Sequence, residues 1–214
     1  MMRAELRSEL YALFAQAFTH PDEAFIERIV RGELLSRILE TGSHLPPPNP
    51  FETVTNLATT SEQEPDVFFT TCFESGTSRV PLRESGYTTA PEKSLMEELF
   101  RFYRHFGLDV ANGTLKELPD ALPVELEFLH YLTYLEAAAL RSGTSGNLDA
   151  LQNAQRDFLN RLPGRWVDTL ALRLEQMPDA GFYADASNLL ARFVRHEKRT
   201  ILSDSGVLVS TNGG

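Results

Sequence analysis

The sequence predicts an all-α fold, a single-domain helical bundle. Apolar residues recur at helical spacing in segment after segment, and no segment alternates like a half-buried strand. A third observation is the stretch LPDALPVELEFLHYLTYLE, residues 118–136, which is apolar nearly all the way round. A helix coated on most sides belongs in the middle of a bundle, and its polar groups must be paired or presented to something.

The elements follow in order. Leu6, Leu10, Leu13, Phe14, Ala17 and Phe18 recur at i, i+4, i+7, i+8, i+11 and i+12, one face of a helix. Pro21 stops this helix and Asp22 can cap the next. Phe25, Ile26, Ile29 and Val30 carry the pattern on, Gly32 interrupts it, and Leu34, Leu35, Ile38 and Leu39 resume it. TGSHLPPPNP, residues 41–50, is a loop by composition, and residues 51–63 are Thr-rich and weakly patterned. Pro65 and Asp66 open a short helix with Phe68, Phe69, Cys72 and Phe73 on one side. Residues 74–90 form a long irregular stretch, which inside a compact domain is often functional.

Pro91 then starts a helix with Leu95, Met96, Leu99, Phe100, Tyr103 and Phe106 facing inward, and Gly107 ends it. The central helix spans about 120–141, followed by the connector SGTSG, residues 142–146. Leu148, Leu151, Phe158, Leu159 and Leu162 mark the next helix, closed by Pro163-Gly164, and Trp166, Leu170 and Leu174 mark another. The last helix covers 182–202, with Tyr183, Ala186, Leu189, Leu190, Phe193, Val194 and Ile201. The domain is thus expected over residues 1–202, with 203–214 a flexible tail.

Composition narrows the function classes. The chain has 214 residues, 42% hydrophobic and 23% charged, enough for one sizeable core. Its formal net charge of −10 argues against nucleic-acid binding and suits a basic partner such as an arginine-bearing segment. One cysteine, Cys72, allows neither an internal disulfide nor a cysteine-based metal cage. The amphipathic start is no signal peptide, and no run of about 18 apolar residues is present, so membrane insertion is not expected. A cytosolic location follows.

Catalytic signatures are absent. There is no G-x-G-x-x-G, P-loop, H-E-x-x-H or G-x-S-x-G. Glu127 and His130 make an E-x-x-H pair on one helix face, but a di-metal bundle needs two such pairs. The residues three before His20, His44, His105 and His196 are Ala17, Thr41, Phe102 and Phe193. No metal or other cofactor is therefore expected. Cys72, among phenylalanines, reads as buried and inert. Arg192, Arg195, His196, Lys198 and Arg199 cluster on the last helix and read as a solvated end that complements the macrodipole. On the central helix Glu127, His130 and Tyr134 form a polar stripe, while Glu136 sits in an apolar arc and reads as a core acid needing a partner.

Three motifs together resemble the TorD/DmsD/NarJ family of redox-enzyme maturation chaperones. They are VPLRESGY at 80–87, MEE at 96–98 through RFYRHFGL at 101–108 to LPD at 118–120, and VELEFLHYL at 124–132 with Glu136. RDFL at 156–159, Arg165-Trp166 and Phe182-Tyr183 add weaker support, so the likeness covers roughly residues 5–200. The wording is most similar to the branch serving type II enzymes of the DMSO reductase family, such as ethylbenzene, dimethylsulfide, selenate and chlorate enzymes. Three positions depart from the pattern. Arg83 stands where an aromatic is usual, Ala121 where histidine is frequent, and Asn160 follows Leu159 where the family has histidine.

The resemblance implies a cytoplasmic, non-enzymatic chaperone. It would bind the apo catalytic subunit of a molybdenum enzyme, commonly at its twin-arginine leader peptide, assist cofactor insertion and delay export. The expected partner surface joins loop residues Pro81, Glu84, Ser85 and Tyr87 to Pro119, Asp120, Glu127, His130, Tyr131 and Tyr134. Glu84, Asp120 and Glu127 would meet arginines or backbone donors. Tyr87, Tyr131 and Tyr134 would pack on the apolar part, His130 would hydrogen-bond within the site, and Glu136 would brace the core. A monomer and a domain-swapped homodimer both fit. A helical metal-binding enzyme and a helical adaptor for an unrelated partner remain open as alternatives.

Overall fold

A computed structural model describes residues 3–54, 57, 64–75, 78, 80–108 and 118–206. Helix α1 is Arg3–Ala17, α2 Glu23–Val30, α3 Glu33–Ser43, α4 Pro65–Phe69, α5 Glu92–His105, α6 Leu122–Ser142, α7 Leu148–Arg161, α8 Val167–Glu175 and α9 Gly181–Gly206. Local chemistry sets several boundaries. The Asp22 side chain accepts from the Phe25 N–H at 2.8 Å and caps α2. Gly143, in the left-handed region at φ 68°, closes α6.

Helix α6 is the hub. It lies along α1 on one side and α7 on another, while α9 closes the bundle against α8, α7 and α1. Its Phe128 ring is met by Phe158 (centroids 4.6 Å apart), Tyr103 (5.0 Å), Phe106 (5.8 Å) and Phe102 (6.5 Å), so α5, α6 and α7 share one aromatic knot. Phe68, Phe69 and Phe73 surround Tyr183 of α9 as a second knot. Cys72 is buried beside it, with its thiol pushed up to about 11 by burial.

The structure departs from the periodicity in four places. Helix α3 extends through Ser43, into the stretch whose composition reads as loop. The Pro65 helix continues as a π-helical turn, Thr70–Glu74. In α5 the ring that joins the core is Phe102, whereas Phe100 turns to the Arg104 guanidinium. A residue near 100° from its neighbour can serve either flank of an apolar stripe, and Phe158 across the interface selects Phe102. The last helix carries through Gly206, so residues 203–206 of the expected tail are helical. Residues 207–214 and most of 55–63 lie outside the described residues.

Candidate functional site

Loop residues 80–87 lie across the entrance to α6. The Leu122 N–H donates to the Leu82 carbonyl and the Glu84 N–H donates to the Asp120 carbonyl, both at 2.9 Å. Together they make an isolated antiparallel bridge between Arg83 and Ala121. Asp120 is fully buried. Its Oδ1 accepts from Arg83 Nε at 3.0 Å and its Oδ2 from the Ser85 N–H at 3.3 Å. Arg83 also donates to Glu92 at 3.0 Å. Asp120 thus meets an arginine and a backbone donor, both from its own chain. Beneath it, Tyr103 donates to the carbonyl of buried Pro119 at 2.8 Å.

The loop hides a second acid. Glu84 forms the short 3₁₀ turn Glu84–Gly86 and is buried, and its carboxyl meets that of Glu125 in the first turn of α6. Glu125 is fully buried and accepts from Trp166 Nε1 at 3.3 Å. Burial, with the charges of Glu98 and Asp120, pushes Glu84 up to about 7, against the pull of Glu125's hydrogen bond and Arg165. Glu125 is held well above the usual range, by burial first and then by Glu84. Two carboxyls in contact away from water favour a shared proton. Tyr87 stacks on Trp166 at 4.8 Å, and the Arg173 guanidinium lies over the Tyr87 ring at 4.4 Å. Pro81 and Ser85 are half-buried in this loop.

The outer face of α6 is different. Glu127 is exposed and Tyr134 is 52% exposed, while Tyr131 and Leu135 are half-buried. His130 is held inward, with Nδ1 at 2.9 Å from Ser8 Oγ and 2.8 Å from the Ser8 carbonyl of α1. Toward its C-terminal end α6 borders a groove of about 780 Å³, lined by Leu135, Ala138 and Ala139 with Phe106, Ala150 and Leu151, and by the polar His105, Ser142, Thr144 and Asn147.

Glu136 lies at the inner side of α6. Arg7 of α1 donates to it at 2.9 Å, to Glu197 of α9 at 2.5 Å and to Gln155 of α7 at 2.6 Å. Gln152 and Gln155 also donate to Glu136, at 3.0 and 2.9 Å. Burial alone would raise the Glu136 carboxyl; Arg7 and the two glutamines outweigh it and hold it below the usual range. One guanidinium fork thereby ties four helices together.

The basic residues of α9 are spent on structure. Arg192 donates to Thr53 at 2.9 Å, Arg195 pairs with Asp168 at 3.1 Å, and Lys198 donates to the Gly164 carbonyl at 2.8 Å. His196 is buried.

Of the residues singled out from the sequence, Pro81, Glu84, Ser85, Tyr87, Pro119 and Asp120 gather at the α6 entrance. Glu127, Tyr131 and Tyr134 line its outer face, while His130 and Glu136 point toward α1. Sequence reasoning missed Glu125 and Trp166. The available signal was the same one that marked Glu136, an acid on the apolar side of a buried helix.

Comparison with known proteins agrees with these motifs. The family model described as nitrate reductase delta subunit matches residues 48–171. The chlorate reductase assembly chaperone protein of Ideonella dechloratans is 41% identical over 103 residues, 47% of this chain and 51% of that protein. The selenate reductase assembly chaperone protein of Thauera selenatis is 36% identical over 106 residues, 49% of this chain and 52% of that one. The dimethyl sulfide dehydrogenase assembly chaperone protein of Rhodovulum sulfidophilum is 32% identical over 173 residues, 75% of this chain and 66% of that one. The chain spans about half the length of the first of these relatives. It therefore belongs to the nitrate reductase delta subunit family, the TorD/DmsD/NarJ group whose motifs it carries.

Proposed function

We propose that this chain is a cytoplasmic, system-specific chaperone without catalytic activity of its own. It binds the apo catalytic subunit of a molybdenum oxidoreductase at its twin-arginine leader or N-terminal segment. It assists insertion of the molybdenum cofactor and delays export until insertion is complete. The names of the relatives, each an assembly chaperone of a reductase or dehydrogenase, support this reading.

The observation that carries the binding mode is the outer face of α6, where exposed Glu127 and Tyr134 and half-buried Tyr131 precede a largely apolar groove. A leader is basic at one end and apolar beyond it. An amphipathic segment of that kind lays its apolar side into a helical groove. Glu127 meets its arginines, Tyr131 and Tyr134 flank its apolar stretch, and the net charge of −10 attracts it from a distance. Glu84, Asp120 and Pro119 act from below by fixing the loop that presents Pro81, Ser85 and Tyr87.

Affinity capture of the tagged chain from its source organism, with captured proteins identified and assayed for molybdenum, tests the reading. The expected catch is a large molybdoenzyme catalytic subunit lacking its cofactor. Recovery of no such subunit, or only of its cofactor-loaded form, overturns it.

A further inference from the structure

We propose that Glu84 and Glu125 form a proton-sharing latch that fastens the 80–87 loop to the first turn of α6, and that the loop loosens as the shared proton is lost.

Geometry carries this. Both carboxyls are buried, at 3% and 0% exposure, one from the loop and one from the first turn of α6. Each has one buried oxygen with no hydrogen-bond partner. Among the described residues no ion pair joins a cation to either carboxyl: Arg83 is taken by Asp120 and Glu92, and Trp166 offers Glu125 a neutral N–H. The groups facing the pair are Glu98 and Tyr103 from α5, Asp120 from the turn before α6, and Arg165 and Trp166 from the turn before α8. Three of these are carboxylates or a phenol, and Arg165 alone is cationic. A doubly ionised pair would be two buried charges in contact, so closure selects the singly protonated state.

The direction with pH follows. In the open loop Glu84 meets water and returns to the ordinary carboxylate range. In the closed loop burial holds it up at about 7. Between those limits the closed state binds more protons than the open one. Closure is therefore tightest at acid pH and weakens as pH rises through that window, by up to about tenfold per pH unit for one proton. Above the window Glu84 is ionised in both states and no longer adds to the slope.

The loop has built-in reporters. The amides of Glu84 and Leu122 are donors in its bridge, and Trp166 is the chain's one tryptophan. Hydrogen exchange of these amides, corrected for the intrinsic pH dependence of exchange, is followed from pH 5 to 8, with Trp166 emission read in parallel. Wild type is expected to lose at least tenfold protection at the two loop amides, while core amides of α9 such as Leu190 keep theirs. Glu84→Gln keeps the shape and donates without a titrating proton, so its profile should be flat and its loop better protected at pH 8. Glu125→Gln should flatten the profile too and serves if the first variant does not fold. A flat wild-type profile overturns the latch, and so does a glutamine variant that keeps the wild-type slope. No client is present in this experiment, so its outcome is separate from that of the chaperone reading. Only the use of the latch in taking up or releasing a client rests on that reading.

Discussion

Arg83 and Asp120, 37 residues apart in sequence, form an ion pair in which Nε donates to Oδ1 at 3.0 Å. The guanidinium is partly exposed while the carboxylate is fully buried. The loop is thus anchored to the α6 entrance by a charge. The same carboxylate accepts the Ser85 N–H, and one side chain thereby fixes two points of the loop.

Asp120→Ala should accordingly cost about 1.5–3 kcal/mol of stability, the range for hydrogen bonds to a charged group. Urea unfolding at pH 7 measures it. Asp120→Asn should fall between the two, because it can still accept from the Ser85 amide. Leader binding should weaken in both through a loosened loop, in proportion to the loss of protection at the Ser85 amide. An alanine variant as stable as wild type would remove Asp120 from this role.

Arg7→Met should be the most damaging single change. It strands Glu136 and Glu197 as buried carboxylates, which costs about 3–5 kcal/mol. Sign matters here. The depressed Glu136 carboxyl contributes stability that is present above its unfolded value and lost as pH falls through its folded one. At pH 5 wild type still holds that contribution, whereas in Arg7→Met the stranded acids protonate and the deficit shrinks. Urea titrations at pH 7.5 and pH 5 compare the two, and a deficit that grows on acidification would contradict this account.

Glu127→Ala and Tyr134→Ala remove exposed side chains and should change stability by less than about 0.5 kcal/mol. Each should weaken binding of a client leader peptide, Glu127→Ala by roughly fivefold or less and with the larger effect at low salt. Calorimetry at two salt concentrations reads both. Unchanged affinities, with the fold intact by circular dichroism, would move the partner surface elsewhere.

Gly164→Ala tests a close approach. A Cβ there would run into the backbone carbonyl of Leu159, and the Gly164 carbonyl also receives Lys198 of α9. Relieving that overlap shifts the corner between α7 and α8, for about 1–3 kcal/mol. Thermal unfolding should show a lower midpoint with no change in leader affinity at temperatures where the variant is folded.

Much of this architecture was legible beforehand. Leu6, Leu10, Phe14 and Ala17 are all buried on α1, Asp22 caps α2, and Gly107 adopts φ +74° where α5 ends. The candidate site was legible only in part. Segments 80–87 and 118–120 meet at the α6 entrance, but exposure was not readable. Asp120 and Glu84 are buried, Glu127 is exposed, and His130 turns to Ser8 of α1. Periodicity places a residue on a face; the neighbour that covers the face decides whether it meets water.

The sequence by itself determined the helices and the hub position of α6, because spacing, capping and apolar coating act over a few residues or within one helix. Only the tertiary structure decided which acid meets which partner. The carboxylates of α6 and its entrance are answered by Arg83 from 37 residues away, Trp166 from 41 and Arg7 from 129, and Arg7 reaches on to Glu197 across 190. A buried charge accepts only a partner within a few ångströms, and chain segments that far apart are brought to that distance by the folded bundle alone.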